Sequence, residues 1–369
     1  MKTEQTHILD VMAKENAQFA IPVYQRVYAW TRRQCEALLN DAMRAGEADQ
    51  THFVGAVLYL PEDAPDEART FSLIDGQQRT ATLSLLLVAL RNRLAQTEAA
   101  AGGAGSLAEV AATVDAADAI LTADDIDRAY LFVERDGVRE PKLILSRADR
   151  ATYRAILEGA PLPEGDDLSR FLAENVNYFA ERLAEPDFNV NALVRGLHNL
   201  EAIAVELEPG DKPQLVFETL NARGMSLSTA DLLRNLLLER HGRGEQQRLF
   251  EQYWSPVEKA FPHDEDNLYQ DAALRGWLCE HAPKFDVQTR GELYGTYKQY
   301  ILARASEAGG ENTASANDDI ASMEELLASI SSYVTWFAAN LDKPQVKRHI
   351  DWVMGKLEGL VSERKLFGD

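Results

Sequence analysis

The spacing of apolar and polar positions changes several times along the chain, and each change predicts a new element. Ile8, Leu9, Val11 and Met12 share one potential helix face, which predicts a helix over residues 3–19. "IPVYQRVYAW" (21–30) alternates instead and is aromatic, and Pro22 bars a helix interior, so an extended segment or short strand is expected. "TRRQCEALLNDAMRAG" (31–46) returns to a helical period, with Thr31 as N-cap and Gly46 as stop. "HFVGAVLYL" (52–60) and "TFSLID" (70–75) predict two strands joined as a hairpin through "PEDAPDEAR". From Thr80 to Leu94 the pattern is that of an uninterrupted apolar helix, followed by a flexible stretch at 99–105.

Further on, residues 194–211 predict a helix that gives way to a strand at 202–208. "KPQLVFETL" predicts a helix, "NARGMSL" a loop, and "STADLLRNLLLERHG" a third helix whose Ser228 lies three residues before Asp231, a capping spacing. Beyond about residue 245 the pattern is helical, broken by a loop at 308–318, with Trp254, Trp277 and Trp336 as core candidates. No internal repeat is visible. The order predicts an α+β fold: a small mixed sheet with helices over residues 1–240, carrying a helical insertion at about 98–200, and then an all-α helical domain over 241–369.

Composition narrows the function classes. At 369 residues and 46% hydrophobic content the chain fills more than one domain core. Its formal net charge of −21 repels nucleic acid and anionic membranes as a whole, so a nucleic-acid role needs a local basic patch. Two cysteines, Cys35 and Cys279, exclude a disulfide framework and suit a reducing cytoplasm. The N-terminal residues carry no apolar signal core, and no apolar run is long enough to span a bilayer. Residues 98–127 hold seven acids and no Lys or Arg, which places that stretch away from any anion site.

The chemistry concentrates in "LIDGQQRTATLSLLLVAL", where a strand turns sharply through Asp75-Gly76-Gln77-Gln78-Arg79 into the apolar helix. A helix that starts from such a turn leaves orphan N–H groups and the positive end of its dipole facing outward, which suits an anion. Gly76 permits close approach, Arg79 supplies a bidentate cationic fork, and the two glutamines donate and accept. Asp75 suits a metal, a ribose hydroxyl or an attacking water. The plainer alternative is a capped joint whose polar residues face solvent.

The segments "IPVYQRVYAW", "HFVGAVLYL", "LIDGQQRTATLSLLLVAL" and "VFETLNARGMSLSTADLLRN", in this order over roughly residues 5–240, resemble the N-terminal domain of the GmrSD and SspE group of modification-dependent antiphage restriction proteins. That domain is similar to the ParB/sulfiredoxin-like superfamily, and Gly76-Gln77-Gln78-Arg79 matches its GxxR turn. The resemblance implies an NTPase, with GTP favoured among the nucleoside triphosphates and a divalent metal (Mg2+) as cofactor. It implies catalytic roles for Asp75, Gln77, Gln78 and Arg79, with nucleotide held by Gly76, Arg79, Thr80, Asn221 and Arg223. For Asn221 the alternative is a turn-forming role beside a Gly224 C-cap. The resemblance further implies sensing of modified phage or host DNA and a partner nuclease domain or subunit of HNH type. The seven histidines show no metal-binding spacing, so that nuclease domain is expected to be absent from this chain. A homo-oligomer is compatible with the family.

DNA contact is expected at Pro22, Val23, Tyr24, Gln25, Arg26, Tyr28, Trp30, Arg32 and Arg33, because residues 21–35 hold three arginines and no acid before Glu36. Residues 76–97 hold Arg79, Arg91 and Arg93, again without an acid, and would add to that patch if the fold joins the two segments. Strand packing is the alternative for Tyr24, Tyr28 and Trp30. The compact, proline-stiffened segment favours phosphorothioate, whose sulfur is softer and less hydrated than oxygen, in an apolar pocket lined by Pro22, Val23 or Tyr24 with Gln25 or Arg26 on the phosphate. Two rival expectations are a glucosylated hydroxymethylcytosine mark and a module that binds modified DNA without turning over nucleotide. His52, Glu36 and Asp41 read as structural or solvated residues, and no metal ligand set is assigned.

Overall fold

A computed structural model describes residues 1–62, 69–100, 122–208, 211, 216, 228–238, 241, 243–261, 264, 267–308 and 316–355. The N-terminal stretch expected to be one helix is instead β1 (Lys2–His7), a five-residue α1 (Ile8–Met12) and β2 (Ala17–Ala20). The apolar quartet Ile8, Leu9, Val11 and Met12 is buried as the pattern requires, but only that single turn is helical. The polar residues before it form an edge strand, because β1 pairs antiparallel with β8 (Leu200–Glu206), a partner about 200 positions away along the chain. Residues 21–30 contain no strand.

The helix from Thr31 forms as expected: α2 (Arg32–Ala48) opens on a capping box between Thr31 and Gln34. Gly46 is not its stop. The helix runs two residues further and ends on Asp49 in the left-handed conformation, while Gly46 lies against Gly196 of α7 (Val190–His198) where the helix backbones touch. β3 (His52–Pro61) and β4 (Arg69–Asp75) pair antiparallel, as the hairpin reading predicts. The mixed sheet has the order β1-β8-β3-β4-β2-β7, with β7 at Leu143–Ile144.

α3 (Gln77–Ala100) leaves β4 after a single residue. Leu83, Leu85, Leu86, Leu87 and Leu90 are all fully buried, so apolar residues surround the helix and make it a central core element rather than a surface one. The expected helical insertion holds α4 (Ala123–Ile126), α5 (Arg147–Glu158), α6 (Arg170–Leu183) and α7, but also the β5–β6 hairpin (Phe132–Arg135, Val138–Pro141) and β7, which joins the main sheet beside β2. The stretch at 101–121, including three of the seven acids of residues 98–127, lies outside the described residues.

The chain divides into two compact units, Met1–Leu220 and Asn221–Asp369. The first carries the sheet. The second is helical among its described residues, with Trp254 and Trp277 fully buried as predicted and Trp336 only half-buried beneath Lys343. Its helix Thr229–Leu238 begins with Ser228 and Asp231 bonded to each other, as the capping spacing requires. Among the described residues no helix is long and apolar enough to cross a membrane.

Candidate anion site

The turn between β4 and α3 exists because Gly76 stands at φ 86°, where a Cβ would come within 3.1 Å of the Ala56 carbonyl oxygen. Thr80 N–H is the first to bond back, 2.9 Å to Gly76 O, and its hydroxyl donates to the same oxygen at 3.0 Å. The N–H groups of Gln77, Gln78 and Arg79 therefore have no intrahelical acceptor.

Arg79 reaches sideways onto β3. Its Nη1 donates to Ala56 O at 2.9 Å, and its Nη2 lies 2.7 Å from where a Cβ on Gly55 would sit. Gly55 is at φ 108° in a break of the β3–β8 register between Phe53 and Ala56. This strand irregularity makes the space for the guanidinium. Sequence reading did not single out Gly55, although a glycine inside a strand pattern is a known sign of a bulge or a close approach. Among the described residues Ala56 O is the one acceptor bonded to Arg79, and Asp75 makes no salt bridge with it.

Asp75 is half-buried. Burial raises its pKa above the ordinary carboxylate value, opposed by a backbone hydrogen bond from Gly76 and by the positive charges of Arg79 and Arg26. Burial in turn lowers the pKa of Arg79, opposed by Asp75. Arg26 and Arg79 thus share one electrostatic neighbourhood, and the segment expected to touch DNA and the turn expected to hold nucleotide form one site.

Hydrogen bonds make that union explicit. Ile74 O can only accept, so Gln25 gives it Nε2 at 3.0 Å and turns Oε1 to Gln77, whose Nε2 donates at 2.9 Å. This leaves Gln77 Oε1 buried without a partner, in a residue only 5% exposed. Gln78 is fully engaged: its Nε2 donates to Val27 O at 3.1 Å and its Oε1 accepts from Ala29 N–H at 2.8 Å. Tyr28 N–H donates to Asp149 at 2.7 Å, and the Tyr28 hydroxyl meets Thr82 at 2.8 Å.

These bonds sort the residues expected to contact DNA. Tyr24, Gln25 and Tyr28 are buried at 6%, 3% and 4% exposure, and Tyr28's burial drives its phenol pKa far upward. Pro22, Val23, Arg26 and Trp30 are half-buried, and Arg32 and Arg33 are exposed, with Arg32 stacked 4.7 Å above the Tyr178 ring. Arg91, expected to extend the patch, is instead paired with Asp127 at 2.9 Å. Asn221 and Arg223 lie outside the described residues. Among the described residues no group of three or more potential ligands forms a metal cluster. Asp75 alone still suits a cation that shares phosphate oxygens, since magnesium often takes only one or two protein carboxylates.

The fold and the site together define a strand–turn–helix module that gathers two arginine charges and a partly unsatisfied set of polar groups at the start of its central helix. Residues 8–238 match the family described as GmrSD restriction endonuclease, N-terminal domain, and the chain belongs to that family. It is thereby a module of a restriction system. No curated protein matches the chain.

Proposed function

We propose that this chain is an NTP-hydrolysing sensor of modified DNA, with GTP the favoured nucleotide and phosphorothioate the favoured mark, which couples hydrolysis to a nuclease. The observation that carries this reading is the unsatisfied chemistry at the turn: three helix-start N–H groups without an intrahelical acceptor, a guanidinium with spare donors, and the orphaned Oε1 of Gln77, two residues after Asp75. Buried polar groups are normally paired, so a lone buried acceptor marks a place for a donor that arrives from outside.

The N–H groups of Gln77 to Arg79 and the Arg79 guanidinium hold the phosphates of the nucleotide. Gln77 Oε1 accepts a hydrogen bond from the attacking water and orients it, the task that Gln78 is too occupied to perform. Thr80 hydroxyl caps the turn from within by bonding Gly76 O. Asp75 and phosphate oxygens would hold a magnesium ion, which supplies charge neutralisation to the phosphates. DNA lies across Arg32, Arg33 and Arg26, with the sulfur-bearing phosphate against Pro22 and Val23. Because Gln77 and Gln78 are bonded to Gln25, Val27 and Ala29, a shift of the sensing segment reaches the turn directly.

The test is NTP release by wild type and Arg79→Ala, with matched plain, phosphorothioated and glucosylated duplexes. Stimulation of wild type by the phosphorothioated duplex alone, lost in Arg79→Ala, is the expected result. Equal and negligible turnover by both proteins with every duplex would reduce the chain to a binding module.

A further inference from the structure

Residues 27–30 are irregular and yet partly buried, so their backbone polar groups need partners that no strand supplies. Side chains supply them. Gln78 takes Val27 O and Ala29 N–H, Asp149 takes Tyr28 N–H, and Asn175 Nδ2 donates 2.7 Å to Trp30 O and 3.1 Å to the Tyr28 hydroxyl. Asp149 and Asn175 belong to α5 and α6 of the insertion, not to the strand–turn–helix unit.

The sequence position of Asp149 shows that the contact is special. It stands three residues after Ser146, the N-cap of α5, where a carboxylate ordinarily folds back onto the N-cap N–H. Here it does not. Its Oδ2 accepts from Tyr28 N–H and from the Ser146 hydroxyl at 2.9 Å, and its Oδ1 accepts from the Ser169 hydroxyl, just before α6, at 2.7 Å. The residue is 4% exposed, and burial raises its pKa against the pull of those three donors. Asn175 is likewise 1% exposed on the inner face of an amphipathic helix, where an apolar residue would pack without a polar cost. Both polar groups are spent on the same short segment.

We propose that Asp149 and Asn175 are positioning residues: they grip Tyr28 and Trp30 from two helices of the insertion and so set the register in which the sensing segment meets the turn at Gln78. The inference rests on the proposed function for what the register is used for, but not for the grip itself. Geometry rather than charge carries the grip at Asp149. Asparagine keeps one acceptor for Tyr28 N–H, and its amide donates to a Ser169 hydroxyl turned to accept.

The experiment compares the full chain with Asp149→Ala, Asp149→Asn and Asn175→Leu, using Ser84→Ala as control. Ser84 bonds the Tyr153 hydroxyl between α3 and α5, also buried, but among the described residues makes no hydrogen bond to residues 27–30. Amide hydrogen exchange at Tyr28 and Ala29 is read first, then binding to plain and phosphorothioated duplexes. Asp149→Ala and Asn175→Leu should speed exchange at Tyr28 and Ala29 by about tenfold or more, the scale of one lost buried hydrogen bond. They should also weaken duplex binding several-fold, while Asp149→Asn and Ser84→Ala stay near wild type in both readouts. Unchanged exchange in Asp149→Ala, equal loss in Ser84→Ala, or an Asp149→Asn protein as impaired as Asp149→Ala would each overturn the proposal. A wild-type chain that binds no duplex would defeat the DNA reading alone, because the exchange comparison still decides the grip.

Discussion

Two carboxylates in the first unit, the buried Asp149 and the half-buried Asp75, differ in how completely they are answered. Both have pKa values raised by burial. Asp149 has three donors within 2.9 Å, two hydroxyls and a backbone N–H, and no cation opposes its burial. Asp75 has one backbone hydrogen bond from Gly76 and two arginine charges nearby, and two residues further along the chain Gln77 keeps an oxygen with no partner. The first arrangement is complete and needs nothing more. The second keeps positive charge and unfilled hydrogen-bonding capacity in reserve. A satisfied buried group fixes a shape, whereas the proposed function makes the unsatisfied one beside cations the place for a ligand.

The sharpest break of that comparison is Arg79→Ala. If the reserve at the turn serves phosphate, losing the guanidinium lowers kcat/KM for NTP by about 100- to 1000-fold, the usual scale for a preorganised charge on a transferring group. Folding should change little, since Arg79 gives the protein one hydrogen bond, to Ala56 O. Thermal melting alongside steady-state phosphate release separates the effects. A melting loss as large as that of a core variant, with turnover intact, would move Arg79 into the same class as Asp149.

Gly55→Ala attacks the same side chain from beneath. A methyl group there would stand 2.7 Å from Nη2 of Arg79, and φ of 108° is costly for any L side chain. We expect a stability loss of about 1–3 kcal/mol from the backbone alone. Because the obstructed atom ends a flexible side chain, Arg79 should swing away rather than unfold the sheet, and turnover should fall about tenfold or more while Arg79 is still present. Full turnover in a folded Gly55→Ala protein would show that the seat of the guanidinium is irrelevant.

How much of this was legible in the chain depended on the sequence distance over which each feature is determined. The hairpin, α2 with its Thr31 cap, the apolar α3 and the Ser228–Asp231 cap are set by neighbours within a few residues, and periodicity found them. β1 escaped because its identity comes from pairing with β8 near the other end of the unit. Residues 21–30 looked like a strand because aromatic alternation also suits a segment whose alternate side chains are buried by helices. At the site, Asp75, Gly76 and Arg79 could be picked out because a glycine turn before an apolar helix is a local signal. The inward roles of Gln25, Gln78 and Tyr28, and the whole contribution of Asp149 and Asn175, depend on contacts across about 49 to 147 positions that no spacing rule encodes. Gly55 lay between: its position inside a strand was a readable sign that went unread.

The pH response distinguishes the two carboxylates without mutating the cations. Asp75 has a raised pKa in the folded chain, so its folding contribution is fully present below the ordinary carboxylate pKa of 3.8 and is lost as pH rises through the raised value. Its proposed role needs the ionised form, so turnover should rise over the same interval in which that contribution falls. Asp75→Asn should flatten the stability change and depress turnover at every pH. Asp149→Asn should flatten its own stability change in the same way but leave the acid limb of turnover where it was. Melting temperature and phosphate release measured from about pH 4 to 7 test both, and a limb that moves with Asp149 rather than Asp75 would exchange their assignments.

The smallest expected effect lies on the surface of the sensing segment. Arg32 and Arg33 are exposed, and Arg32 spends part of its contact on the Tyr178 ring. On a protein of net charge −21, binding to duplex must come from a few such local contacts released from counter-ions. Each neutralisation, Arg32→Ala or Arg33→Ala, should weaken duplex binding only a few-fold at moderate salt and lower the slope of log K against log salt by about one. Plain and phosphorothioated duplexes should lose affinity equally, because these side chains would meet phosphate and not the mark. Unequal losses would move the reading of the mark from Pro22 and Val23 to the arginines themselves, and an unchanged slope would take the arginines out of the interface while leaving the turn and its unfilled chemistry as they are.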